Sequence, residues 1–208
     1  MSAGVLLGVL AAPVVGHADT STDATPNQKT STATVNIDAP SNGTLTLVSV
    51  PSFTFDGNIV NNYSGDNKIS GKTKGNLVVD DQTGKAAGWT VAAQLDKFST
   101  TSSSNSAAVL GNGGVYLGMG NMSATAPSSN PNSGAAPSIG NASLAADGSS
   151  VNVVTAKAAT GVDGDKGQGS GEWDMSFSNP SLGAFVPWVK ASYSASIAWT
   201  LTAGPTSN

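Results

Sequence analysis

The chain has 208 residues, a net charge of -4, only 11% charged residues, and neither arginine nor cysteine. That length suits one domain. The scattered lysines argue against a nucleic-acid partner, which needs a basic patch, and the missing cysteines leave the fold to a hydrophobic core rather than to disulfides.

The first eighteen residues read as a secretory leader. Val5 to Val15 is an apolar run, and "GHA" puts small residues before Asp19, as a cleavage site requires. No Lys or Arg precedes the run, so the expectation is a leader truncated at its start. The run is too short to span a membrane, and no later segment is long and apolar enough. The expectation is therefore an exported, soluble protein. The sequence stops at Asn208 without the hydrophobic tail of a sorting signal, so covalent wall anchoring by that route is not expected. Residues 19–31 are polar and predict a flexible lead-in, which leaves 32–208 for the domain.

Strands are predicted from residue 32 onward. "TATVNID" places Val35 and Ile37 on one face. "GTLTLVSV" alternates Leu45 and Leu47, "PSFTFDG" pairs Phe53 with Phe55, and "GNLVVDD" is a short apolar run. In "GWTVAAQL", Trp89, Val91, Ala93 and Leu95 share one face, with Thr90, Ala92 and Gln94 on the other. That is the period-two pattern of a half-buried strand. Residues 99–108 read as a Ser/Thr-rich connector, "GGVYLGMG" as a strand, and 121–150 as long loops broken by one weak strand. "SVNVVTA" resumes strand character, and a Gly-rich loop then feeds a strand with Trp173, Met175 and Phe177 on one face. In "SYSASIAWTLT", Tyr193, Ala195, Ile197, Trp199 and Leu201 line up as one long strand, expected at or near the centre of its sheet. No window holds a helical period, and no fixed-length repeat is present. Many short strands between Gly, Asn and Pro turns predict an all-β, antiparallel β-sandwich, Greek-key-like, with long Ser/Asn/Gly-rich loops.

The side chains of most catalytic centres are missing. The only histidine is His17, inside the leader. This removes Ser-His-Asp and Cys-His chemistry and zinc sites built on His or Cys. The glycine-rich stretches match no nucleotide fingerprint. One glutamate, Glu172, and twelve aspartates remain, but nothing marks the facing carboxylate pair that a glycosidase needs. Asp80 and Asp81 are adjacent and point to opposite faces of a strand. Asp163 and Asp165 could share a loop face, yet Lys166 and the shortage of oxygen ligands make "DGDKGQG" a solvated turn rather than a calcium loop. The expectation is a non-enzyme with no cofactor and no metal.

Trp89 and Trp199 sit in matching Trp-Thr-aliphatic contexts. Their place on the apolar faces of strands favours core packing; a stacking platform for a glycan is the alternative. The terminal "SYSASIAWTLTAGP", the central "GNLVVDDQTGKAAGWTVAAQLDKF", the opening "GTLTLVSVPSFTFDG" and the "GSGEWDMSF" element resemble, in that order, the WxL surface-domain family of Gram-positive bacteria. The resemblance covers about residues 32–205. Trp199 and Leu201 match the distal motif in full; Trp89 matches the proximal motif, with Val91 where the family has leucine. The resemblance implies a small, exported cell-surface protein held non-covalently on the cell wall through peptidoglycan. It also implies other surface proteins as possible partners in one complex. Trp89, Val91, Trp199 and Leu201 are the candidate binding positions. Two functions stay open: a peptidoglycan-binding module, and an interaction subunit that binds a partner surface protein. A wall hydrolase is a distant third.

Overall fold

The structure, a computed structural model, describes residues 41–56, 67–100, 109–110, 114–129, 134–140, 143–162, 165–184 and 192–204. The leader, the lead-in and the strand expected at "TATVNID" lie outside the described residues, as does Asp163. Sixteen strands run through the described part. They are β1 (Leu45–Ser49), β2 (Ser52–Phe55), β3 (Asn67–Lys74), β4 (Leu77–Asp81), β5 (Trp89–Leu95), β6 (Phe98–Thr100), β7 (Val109–Leu110) and β8 (Val115–Gly118). They continue with β9 (Asn121–Thr125), β10 (Ser138–Ile139), β11 (Ser143–Ala145), β12 (Ser150–Ala156), β13 (Gly171–Ser178), β14 (Ser181–Ala184), β15 (Tyr193–Ser194) and β16 (Ile197–Ala203).

These strands build four sheets, each paired antiparallel throughout. Their orders are β1-β4-β13-β9, β10-β12-β5-β16, β11-β8-β14-β3-β2 and β15-β6-β7. The fold is all-β, with apolar faces packed sandwich-fashion around one core. Leu77 and Val79 of β4, Trp89, Val91, Ala93 and Leu95 of β5, and Trp173, Met175 and Phe177 of β13 are all buried there. In each strand they are alternate residues, so the pleat itself sorts the core from the outer face. In β12 the alternation slips between Asn152 and Val154, where the pairing register shifts. The bulge accommodates an extra residue, and both Val153 and Val154 are fully buried.

Trp89 is the largest fully buried side chain among the described residues. Burying an indole also buries a donor that must find a partner. The partner is the Gly169 carbonyl, 3.0 Å from the indole Nε1. Gly169 sits at φ +73°, and a Cβ there would lie 2.7 Å from Trp89 Nε1 and 2.5 Å from the Ala156 methyl. Only glycine fits both the backbone conformation and the space. The same turn supplies the Ser170 carbonyl to Trp173 Nε1 at 3.1 Å. One stretch of loop therefore satisfies two indoles.

That loop is held by Asp165. Its carboxylate accepts the Thr160 backbone N–H (2.7 Å), the Thr160 hydroxyl (2.5 Å) and the Gly167 N–H (2.9 Å). The Thr160 hydroxyl, with the Gly167 and Thr160 amides, favours the ionised form and draws its pKa from 3.8 down to about 2. The carboxylate read from sequence as part of a solvated turn is an exposed loop clasp.

Several expectations are corrected. The terminal segment is not one strand. It breaks at Ala195–Ser196 into β15, which pairs with β6, and β16, which pairs with β5. Among the described strands β16 lies at a sheet edge, and the central position belongs to β5. The outer face of β5 is not wholly solvated either: Thr90 is buried, and its hydroxyl has no partner among the described residues. Residues 121–150 hold three strands, β9, β10 and β11, before β12 begins at Ser150. In β9 the inward positions are Met122 and Ala124, and alanine gives little apolar signal. The Ser/Thr connector begins with a strand, β6. β3 was not anticipated, because only Ile69 marks its inner face.

Two outcomes check this account. Trp89→Ala is expected to cost about 3–5 kcal/mol of stability in chemical denaturation, and Gly169→Ala about 1–3 kcal/mol by crowding the indole from outside. The Asp165 clasp has a depressed folded-state pKa, so its contribution is present above about pH 4 and is lost as pH falls through about 2. Amide exchange at Thr160 and Gly167 should accelerate across that window and stay constant above pH 5.

Candidate functional site

The two Trp-containing segments meet side by side. β5 and β16 pair so that Trp89 lies opposite Ala203, Val91 opposite Leu201, and Ala93 opposite Trp199. Each large ring thus faces a methyl on the neighbouring strand, which gives it room to lie across the pair. The aliphatic members of the two motifs face each other directly. Val91 is fully buried, so the branched valine fills core space opposite Leu201 and is shielded from solvent.

The four candidate positions divide by depth. Trp89 and Val91 are in the interior; Trp199 and Leu201 are half-buried and pack against the core from the edge. Trp199 makes an edge-to-face contact with Phe177, with centroids 6.4 Å apart at 69°, and Phe177 makes another with Phe53 at 5.8 Å and 88°. Such pairs hold their rings in preferred orientations.

Trp199 also lines a groove of about 720 Å³. β2 forms one wall, with Phe53 and Phe55. β15 and β16 form the other, with Tyr193, Ile197 and Trp199. Leu95, Phe98, Leu117 and Leu182 lie at its base. Five aromatic rings therefore face one cleft. Asp56, Ser192 and Ser194 add polar groups to its lining. The volume falls in the usual range for small-ligand sites, and so does the mix of an apolar lining with a few polar groups. Phe55 lies over Gly71 of β3, where a Cβ would stand 2.4 Å from the ring; the missing side chain lets the phenyl fold down. Sequence reading identified Trp199 but not the groove. Phe55, Tyr193 and Trp199 come from separate sheets, and only the fold brings them together.

The carboxylates form no comparable cluster. Asp81 is buried and is occupied by the Thr83 N–H and hydroxyl at 3.0 and 2.6 Å. Asp80 accepts the Gln82 amide at 2.6 Å and stands in register with Glu172 across β4 and β13. Among the described residues no group of three His, Cys, Asp or Glu side chains could hold a metal ion. No helix among them is long and apolar enough to cross a membrane.

No curated protein and no solved structure matches the chain. A family does: the WxL domain, a surface cell wall-binding module, matches residues 18–205. The match includes both Trp segments and every strand of the groove. It describes a binding module of the cell surface rather than an enzyme. The chain belongs to the WxL domain surface cell wall-binding family.

Proposed function

We propose that the protein binds peptidoglycan directly, through the groove between β2 and β15–β16. The observation that supports this most is the convergence of Phe53, Phe55, Phe98, Tyr193 and Trp199 on one open cleft. A pyranose ring presents an apolar C–H face and a polar rim. An aromatic wall can take the first, and the Ser and Asp groups of the groove can bond the second. Trp199 is suited to this because its indole is half-buried and its N–H has no hydrogen-bond partner among the described residues. Trp89 is suited only to packing, since its own N–H is already spent on Gly169. On this reading the proximal motif sets the sheet and the distal motif reaches the ligand.

A second reading has its own support. Val48 and Val50, 55% and 44% exposed, stand at the β1–β2 corner, and Val50 lines the groove. An apolar rim of that kind suits a protein surface. The chain would then be an interaction subunit that reaches the wall through a partner surface protein.

Co-sedimentation with sacculi stripped of protein and anionic polymers separates the two. Wild-type protein should pellet saturably. Trp199→Ala and Tyr193→Ala should each weaken binding about tenfold, or ~1.4 kcal/mol, while keeping a cooperative thermal melt. Trp199→Ala should cost less stability than Trp89→Ala. Wild-type protein left in the supernatant would shift the choice to the interaction subunit. Saturable binding that neither substitution weakens would remove the groove from the account.

A further inference from the structure

The sheet that walls the groove has a second face. Its five strands, β11, β8, β14, β3 and β2, carry three lysines and not one aspartate or glutamate. The chain as a whole has a net charge of -4, so this sheet departs sharply from its surroundings. The lysines are Lys68, Lys72 and Lys74, all on β3 and all exposed. They occupy even-numbered positions, while Ile69 points into the groove, so the pleat puts all three on the outer face. Lys72 and Lys74 make no ion pair among the described residues.

Neighbouring strands extend the face. Register places Thr54 opposite Lys72 and Ser52 opposite Lys74 on β2, with Ser181 opposite Ser70 on β14. Gly183 is opposite both Lys68 and Tyr116. A Cβ on Gly183 would meet the Tyr116 ring at 2.2 Å. Its absence lets the ring lie across β14 and reach the Lys68 ammonium, 5.9 Å from the ring centroid. The result is a flat field of three cations among hydroxyls. Asp56, the carboxylate next after β2, lines the groove.

We infer that the Lys68–Lys72–Lys74 face of β3 is a second binding surface, and that its ligand is a polyanionic polyol-phosphate chain of the cell wall. Three features select that chemistry. Lysines meet phosphates as point charges, without the planar fork that arginine offers to a fixed bidentate partner. Alternate residues of a strand recur about every 7 Å, so Lys74 stands one such step from Lys72 and Lys68 two steps, multiples of one spacing along a line that suits a linear polymer of repeated phosphates. The hydroxyls of Ser52, Thr54 and Ser70 stand between and beside the lysines, where the free hydroxyls of a polyol would lie. A nucleic acid fits less well, because among the described residues the ring on this face, Tyr116, is already engaged by Lys68 and offers no free platform for a base. The inference does not rest on the groove reading, because the two surfaces use opposite sides of β2 and β3.

The test titrates the full chain against immobilised purified polyglycerol phosphate and, separately, against sacculi free of it. Wild-type protein should bind the polymer with a marked salt dependence. K72Q/K74Q should bind at least tenfold more weakly, and K68Q/K72Q/K74Q should fall to background. The salt slope should drop by about one for each lysine removed. All variants should melt as wild type and bind polymer-free sacculi unchanged, and Trp199→Ala should retain polymer binding. The double variant leaves the Lys68–Tyr116 contact intact, so a loss there cannot be laid to that packing. Absence of wild-type binding to the polymer, or equal binding by the lysine variants, would overturn the inference. Equal affinity for single-stranded DNA with the same lysine dependence would overturn the choice of polyol phosphate. Polymer binding lost in Trp199→Ala but kept in the lysine variants would move the polymer to the groove.

Discussion

The seating of one indole constrains the rest of this structure. Trp89 is fully buried, and its N–H has a partner only if the loop after β12 returns over the sheet with Gly169 in the left-handed region. An unpaired donor in that position would cost about 1–3 kcal/mol, a large share of a small domain's stability. The closed loop in turn feeds β13 at Gly171, with the Trp173 indole bonded to Ser170. Satisfying Trp89 therefore positions the strand that carries Phe177. Phe177 supports Trp199 from one side and meets Phe53 on the other. The interior tryptophan and the groove are linked through hydrogen bonds and ring contacts, although Trp89 itself is remote from solvent.

The same chain of constraint explains why two similar segments do different work. Antiparallel pairing of β5 with β16 puts Trp89 against Ala203 and Trp199 against Ala93. Each ring thus occupies a different end of the pair. β5 has neighbours on both sides, whereas β16 has one among the described strands. Position in the sheet, rather than local sequence, makes one tryptophan a core residue and leaves the other partly open.

This also marks where the sequence was legible. Strands whose inward positions are large and apolar, such as Leu77–Val79, Trp89–Leu95 and Trp173–Phe177, announce themselves by period two. β3 does not: its inner face is Ile69, Gly71 and Thr73, and Gly71 is there because Phe55 from the next strand lies over it. β9 hides likewise behind Met122 and Ala124. A strand whose core contact is supplied by its neighbour leaves no apolar period of its own, and no reading of one segment can recover it. The break between β15 and β16 was masked for the opposite reason, since the alternation runs unbroken from Tyr193 to Leu201 while the hydrogen-bond partners change. Trp199 was visible as a motif residue. The groove was not, because its walls and base come from β2, β6 and the β15–β16 segment, three stretches far apart in the chain.

β2 and β3 then bear on both proposed surfaces at once. Their odd-numbered residues, Phe53, Phe55 and Ile69, turn to the groove, and their even-numbered residues, Ser52, Thr54, Lys68, Lys72 and Lys74, turn outward. A net charge of -4 gives the molecule no long-range attraction to an anionic wall. At physiological salt, though, charges are screened beyond about 8 Å, so the local balance on a sheet face decides what happens on contact. A face with three lysines and no carboxylate among the described residues of its five strands differs locally from the acidic total. The cleft suits neutral, apolar sugar faces, and the lysine row suits phosphate. Placing the two on opposite sides of the same strands keeps the desolvated aromatic site apart from the charges, where a buried lysine would be costly. Because the pleat alone separates them, a one-residue slip in the β2–β3 register would exchange the two faces. The close seating of Phe55 over Gly71 holds that register in place.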